Sequence, residues 1–164
     1  MSPSVPPVDP RHAAWMGLAL DAAQLTGTSA DVPIGAVVVG ADGRVLGTGW
    51  NQREELGDPT AHAEVQAIRE AAAGSGGWRL DACTLVVTLE PCAMCAGASV
   101  LARIPRVVFG AWDEKAGAAG TVFDVLRERR LNHWTEVFGG VREDECAQLL
   151  KDFFAVQRSG SGSR

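Results

Sequence analysis

The sequence predicts a three-layer α/β/α fold, with one mixed five-stranded sheet and helices on both faces. Three observations predict it. Short, compact apolar runs alternate with longer stretches of helical periodicity. An Asp42-Gly43 step between two of the runs is a hairpin signal, so one strand pair is antiparallel. Two later runs are joined by a helical stretch, which makes them parallel.

The first helix is expected from His12 to Thr26, where Trp15, Leu18, Ala19, Ala22 and Leu25 recur at helical spacing and Gly27 stops it. Ile34 to Val39, bounded by Pro33 and Gly40, is a buried strand, and Arg44 to Trp50 is its hairpin partner. Residues 62 to 73 form a second helix with Val65, Ile68 and Ala72 on one face, ended by Gly74-Ser75-Gly76-Gly77. Thr84 to Thr88 is a third strand, and Pro91 opens a helix that Ile104-Pro105 stops near Arg103. Val107 to Phe109 is a fourth strand. A loop rich in glycine and alanine, Gly110 to Gly120, leads to a short helical segment at Val122 to Arg129. Trp134 to Phe138 is the fifth strand, and Arg142 to Gln157 closes the chain as an amphipathic helix through Cys146, Leu149, Leu150 and Phe153. Residues 1–9 are expected to be a flexible N-terminus, 10–157 one domain, and 158–164 a disordered tail.

The 164 residues suit one domain with a buried core. No apolar run approaches the ~18 residues of a membrane span, and Met1 to Pro10 lacks the basic start and apolar stretch of a signal peptide. The four cysteines are expected to be reduced, in a cytoplasmic protein. Net charge is −5, so the chain-wide basic balance usual in nucleic-acid binders is missing. Basic residues do gather locally, at Arg127, Arg129 and Arg130, with Arg103, Arg106 and Lys115 upstream.

Chemistry concentrates in two motifs, His62-Ala63-Glu64 and Pro91-Cys92-Ala93-Met94-Cys95. One imidazole and two thiols make a three-ligand zinc set, which leaves a fourth position open as hydrolytic sites require. Glu64 is then free to move protons. Residues two apart on a helix do not face each other, so His62 must lie where the chain enters its helix, with Asp58-Pro59-Thr60 as cap and proline start. Cys92 and Cys95 share one helical face in a first turn, where the unpaired N–H groups favour thiolates. A lone Cys-x-x-C would equally suit a thioredoxin-type redox pair; the upstream His-x-Glu turns the reading to metal. This His-x-Glu and Pro-Cys-x-x-Cys pattern is the signature of zinc nucleobase deaminases. Cys83 and Cys146 are expected as small buried hydrophobes, and His12 and His133 as surface residues.

From Ile34 to Phe154 the chain resembles the cytidine-deaminase-like superfamily and, within it, the tRNA adenosine deaminases. The resemblance rests on Val32-Pro33-Ile34-Gly35-Ala36-Val37, Gly49-Trp50-Asn51, Asp58 to Glu64, Thr88 to Ala98 and Arg106 to Ala111. Asp113, Lys115 and the Gly117-Ala118-Ala119-Gly120 loop are the parts more specific to the tRNA-acting branch. It implies deamination of adenosine to inosine at the wobble position of a tRNA anticodon, in an arginine tRNA, with ammonia released. It also implies one zinc per subunit and a cytoplasmic homodimer that contacts the anticodon loop with both subunits. His62, Cys92 and Cys95 match the metal ligands and Glu64 the proton carrier, while Asn51, Val32, Ile34, Asp113 and Lys115 match substrate-binding positions. Trp112 stands where relatives often carry a basic residue, and could stack a loop base or pack at an interface or in the core. Two rivals remain: a deaminase of free cytosine, guanine or nucleosides, and a catalytically silent zinc-stabilised module, against which Glu64 speaks.

Overall fold

The computed structural model describes residues 9–160, so the expected flexible segment 1–8 and tail positions 161–164 lie outside the described residues. The hairpin is β1 (Gly35–Val39) and β2 (Val45–Trp50), paired antiparallel across the turn at Gly43. β1 also pairs antiparallel with β3 (Thr84–Leu89). β3, β4 (Arg106–Ala111) and β5 (Glu136–Phe138) then run parallel, giving the order β2-β1-β3-β4-β5. The expected mixed five-stranded sheet is the one observed.

The central strands are apolar throughout because both faces are covered. Ala36, Val38, Leu85, Val87, Val107 and Phe109 face α3 (Ala63–Ser75) and α4 (Ala93–Leu101). Val37, Val39, Val86 and Val108 face Met16 and Ala19 of α1 (Pro10–Ala23) and Cys146 of α5 (Glu143–Gly160). Each fully buried valine or leucine contributes about 1.5–3 kcal/mol, so this alternation fixes which side each strand residue takes. Cys83 and Cys146 are buried, as expected.

Glycines in the strands bring the helices in close. A β carbon at Gly47 or Gly49 would overlap the carbonyls of Ala67 or Ala63 in α3, and one at Gly35 would overlap Ala19 of α1. The α3 backbone therefore rests directly on β2, and this contact sets the height of the motif at its N-terminus.

Several expectations need correction. The first helix begins at Pro10, capped by the Asp9 side chain, and its predicted end at Gln24–Thr26 is a 3-10 turn. The Val122–Arg129 segment is not helical. It folds as turns on the preceding loop, with Val122 and Phe123 N–H donating to Gly117 O and Val125 N–H to Ala118 O. A short helix, α2 (Arg53–Leu56), appears where none was expected; Asp31, 2% exposed, accepts from the Glu54 and Glu55 amides and so caps it from outside. The last helix continues through Arg158–Gly160, where the disordered tail was to begin. His12 is buried against Trp15 and Phe138, and His133 is half-buried with its Nε2 2.7 Å from Ile104 O; neither is a surface residue.

Candidate active site

Both motifs sit at helix N-termini above the sheet. His62 is the N-cap of α3 and Cys92 the N-cap of α4, each in extended conformation, and neither side chain caps its own helix. Both instead point at a common centre. Pro91 precedes the cap of α4 and does not open the helix itself. Asp58 turns its carboxylate to the Thr60 amide and hydroxyl, each at 2.8 Å, so it shapes the approach to α3 and does not cap it.

The donor atoms of His62, Cys92 and Cys95 lie within 4.8 Å of one another. His62 Nδ1 is 3.6 Å from Cys92 Sγ and 3.5 Å from Cys95 Sγ. Among the described residues no other cluster of three such donors occurs. The Cys92 thiol is pulled down to about 4, first by the hydrogen bond with Cys95 and further by His62, while Cys95 is pushed up by that pairing and by burial. His62 is raised through its bond with Cys92. The thiol pair thus holds a negative charge beside an imidazole in a partly buried place. One nitrogen and two sulfurs suit zinc, and their three-sided set leaves a position open. Glu64, one residue into the helix and 4% exposed, lies beneath them, its carboxyl pushed above the usual range chiefly by burial.

The centre opens into a cleft of about 530 Å³. Val32, Ile34 and Asn51 line one side, together with Arg53 from α2. Asn51 ties that side together, its Nδ2 donating to Val32 O and its Oδ1 accepting from the Arg53 amide, both at 3.2 Å. Trp112, Asp113, Glu114, Lys115 and Ala116 form the opposite side, and Leu150 and Phe154 of α5 lean in above. Asp113 Oδ1 accepts from the Lys115 and Ala116 amides, which holds the turn that presents Lys115. The metal-ligating, proton-carrying and substrate-binding candidates from the sequence thus meet at one cleft.

Arg53, Leu150, Phe154 and Glu90 were missed, and a signal existed for two of them. Glu90 is an acid ending an apolar strand, and Phe153-Phe154 is an aromatic pair late in an amphipathic helix. Trp112 is 47% exposed and meets Phe109 edge-on at 4.8 Å, so it is a cleft wall resting on the core. Arg127, Arg129 and Arg130 do not line the cleft; Arg127 pairs with Asp124 at 3.0 Å and Arg130 with Glu128 at 2.7 Å.

The match with known proteins follows this geometry. Residues 9–111 match the family described as the cytidine and deoxycytidylate deaminase zinc-binding region. A tRNA-specific adenosine deaminase of Bacillus subtilis is 47% identical over 88% of this chain and 89% of its own length. A structure from a study of A-to-I editing by tRNA:A34 deaminases is 44% identical, covers 84% of this chain and 99% of its own, and superimposes with a TM-score of 0.79.

The chain belongs to the tRNA-specific adenosine deaminase family.

This deaminase is also 52% identical, over 94% of its length, to a Deinococcus radiodurans protein named tRNA(Ile)-lysidine synthase, of which it spans only 26%. A guanine deaminase from Nitrosomonas europaea shares the fold at a TM-score of 0.73 and 25% identity, over 87% of this chain and 84% of that one. The deaminase is zinc-dependent, with one zinc per subunit. No helix among its described residues is long and apolar enough to cross a membrane.

Proposed function

We propose that this deaminase converts adenosine to inosine at the wobble position of a tRNA anticodon, that of an arginine tRNA, and works as a cytoplasmic homodimer. The observation that carries the reading is the His62, Cys92 and Cys95 cluster with buried Glu64 beneath it, at the floor of a cleft open enough for a flipped base. Similarity to the B. subtilis enzyme and to the A34 deaminase structure supports the tRNA substrate.

His62, Cys92 and Cys95 would hold the zinc. When bound, the metal supplies the Lewis acidity that makes water nucleophilic near neutral pH. Water adds at C6 of the adenine, and the amino group leaves as ammonia. Glu64 takes one proton from the water and delivers it to N1, then takes the second from the oxygen added at C6 and passes it to the departing nitrogen. Its buried position suits this work, since a carboxyl raised above its ordinary range both accepts and returns a proton readily. Val32 and Ile34 pack against the base, Asn51 holds the nucleoside, and Asp113 with Lys115 contacts the ribose-phosphate side. A base must leave its stack to reach this floor, which an anticodon loop permits and a duplex resists.

The second reading, a deaminase of free guanine or cytosine, is favoured by the likeness to the N. europaea enzyme. Ammonia release decides between them, measured with an arginine tRNA anticodon stem-loop and with free adenosine, cytosine and guanine. Inosine in the stem-loop, with little turnover of the free compounds, is the expected result. Turnover of a free base with an unreactive stem-loop would overturn the proposal.

A further inference from the structure

Glu90 follows β3 directly, and its amide extends the strand by donating to Ala111 O at 2.8 Å. Its carboxylate is 2% exposed, and every partner it has there comes from the Asp113–Thr121 loop. Oε1 accepts from the Asp113 amide at 3.2 Å and from the Thr121 hydroxyl. Oε2 accepts from the Ala119 amide at 3.1 Å and the Thr121 amide at 3.2 Å. A carboxylate has about four acceptor sites, so these four donors use its capacity and leave none for substrate. The next residue continues the clamp, with Pro91 O accepting from the Ala118 amide at 2.7 Å. Gly117 completes it, because a β carbon there would overlap the Glu90 carboxylate. The loop is therefore wrapped around one buried side chain, with its outer surface, Asp113 to Ala116, turned to the cleft.

We infer that Glu90 is a positioning residue, whose buried carboxylate fixes the Asp113–Thr121 loop as the substrate-binding wall of the cleft. It acts through the loop and takes no part in proton transfer. Because Glu90 stands two residues before Cys92, the same short stretch of chain sets both the wall and a metal ligand. The inference rests on the deaminase reading of this cleft, but its physical half, the anchoring of the loop, can be measured without substrate.

Three variants of the metallated full chain form a graded test. Thr121→Val removes one hydroxyl donor. Glu90→Gln must put its amide nitrogen in place of one oxygen. Set at the Oε1 position it loses the Asp113 bond while the Thr121 hydroxyl turns to accept, so the damage is partial. Glu90→Ala removes the anchor. Amide hydrogen exchange at Ala119 and Thr121 should quicken in that order, with exchange in α3 and zinc content unchanged. Kinetics are run on whichever of the stem-loop or the free bases the wild type turns over, so failure of the tRNA reading is seen separately, in the wild type. KM should rise about tenfold or more in Glu90→Ala, the scale of losing hydrogen bonds to a charged group. It should rise less in Glu90→Gln, with kcat within about threefold of wild type. If Glu90→Ala does not fold, the Gln and Val variants carry the same comparison. Unchanged exchange in the loop, or a fall in kcat at constant KM, would overturn the inference.

Discussion

Glu64 and Glu90 are both glutamates in the cleft, 4% and 2% exposed, and their surroundings are opposite in kind. Glu64 stands below the thiols and imidazole in a setting where burial is the largest influence on its carboxyl and pushes it upward. Glu90 is surrounded by three backbone amides and a hydroxyl, all aimed at its oxygens. A carboxyl that must gain and lose protons cannot be saturated with donors, and one that must hold a loop cannot be left without them. Burial alone says nothing about which is which. The partners do.

The first prediction tests the ground on which Glu64 stands. Cys95→Ala should lose the metal, about one zinc per chain in the wild type, and with it all measurable deamination. Elemental analysis returning full zinc in this variant would remove the site. Next, Glu64→Gln should keep zinc and fold yet lose about 10²–10⁴-fold in kcat, the range for a general acid–base residue. A folded, metallated variant with near-normal turnover would show that the two glutamates do not differ as described.

Two glycine substitutions separate the regions without replacing either glutamate. Gly49→Ala pushes a methyl into the Ala63 carbonyl and so displaces the helix that carries His62 and Glu64. Gly117→Ala pushes one into Glu90. Each should cost about 1–3 kcal/mol of stability, as overpacking does. The first should lower zinc content and kcat, and the second should raise KM with zinc retained; equal kinetic signatures would erase the distinction. Smaller still, Trp112→Ala should weaken stem-loop binding by about 1–3 kcal/mol if its exposed face stacks a base. A binding titration with a melting curve separates that loss from one of packing on Phe109. The smallest effect concerns Arg53 and Lys115, the cations that line the cleft. Each alanine variant should reduce the slope of log affinity against log salt by roughly 0.7 for every phosphate the protein no longer neutralises. An unchanged slope in both would take the phosphates elsewhere.

The central strands were legible because both faces of the sheet are buried there, which writes them as continuous apolar runs such as Leu85-Val86-Val87. The metal cluster was legible because its ligands sit in two short motifs whose spacing places them at helix starts. What escaped depends on partners far along the chain. α2 is too short to show a period and exists because Asp31 caps it across 23 positions. Val122 to Arg129 has helical spacing but only Leu126 is fully buried there, and the segment folds back on the loop that Glu90 holds. His12 looked like a polar surface residue because nothing local announces Phe138 against its ring. Glu90 itself has its partners 23 to 31 positions away, beyond any local pattern.

At Gly47 and Gly49 the nearest atoms of α3 are its own peptide atoms, the carbonyls of Ala67 and Ala63. On that side the depth of the cleft is a fixed gauge: these strand positions carry no side chain to lengthen, shorten or branch. Across the cleft, the wall from Trp112 to Ala116 and the overhang of Leu150 and Phe154 are side chains and loop backbone, free to be recut in size and charge. Substrate range can therefore drift on one side of this molecule while the reacting atoms on the other keep their places.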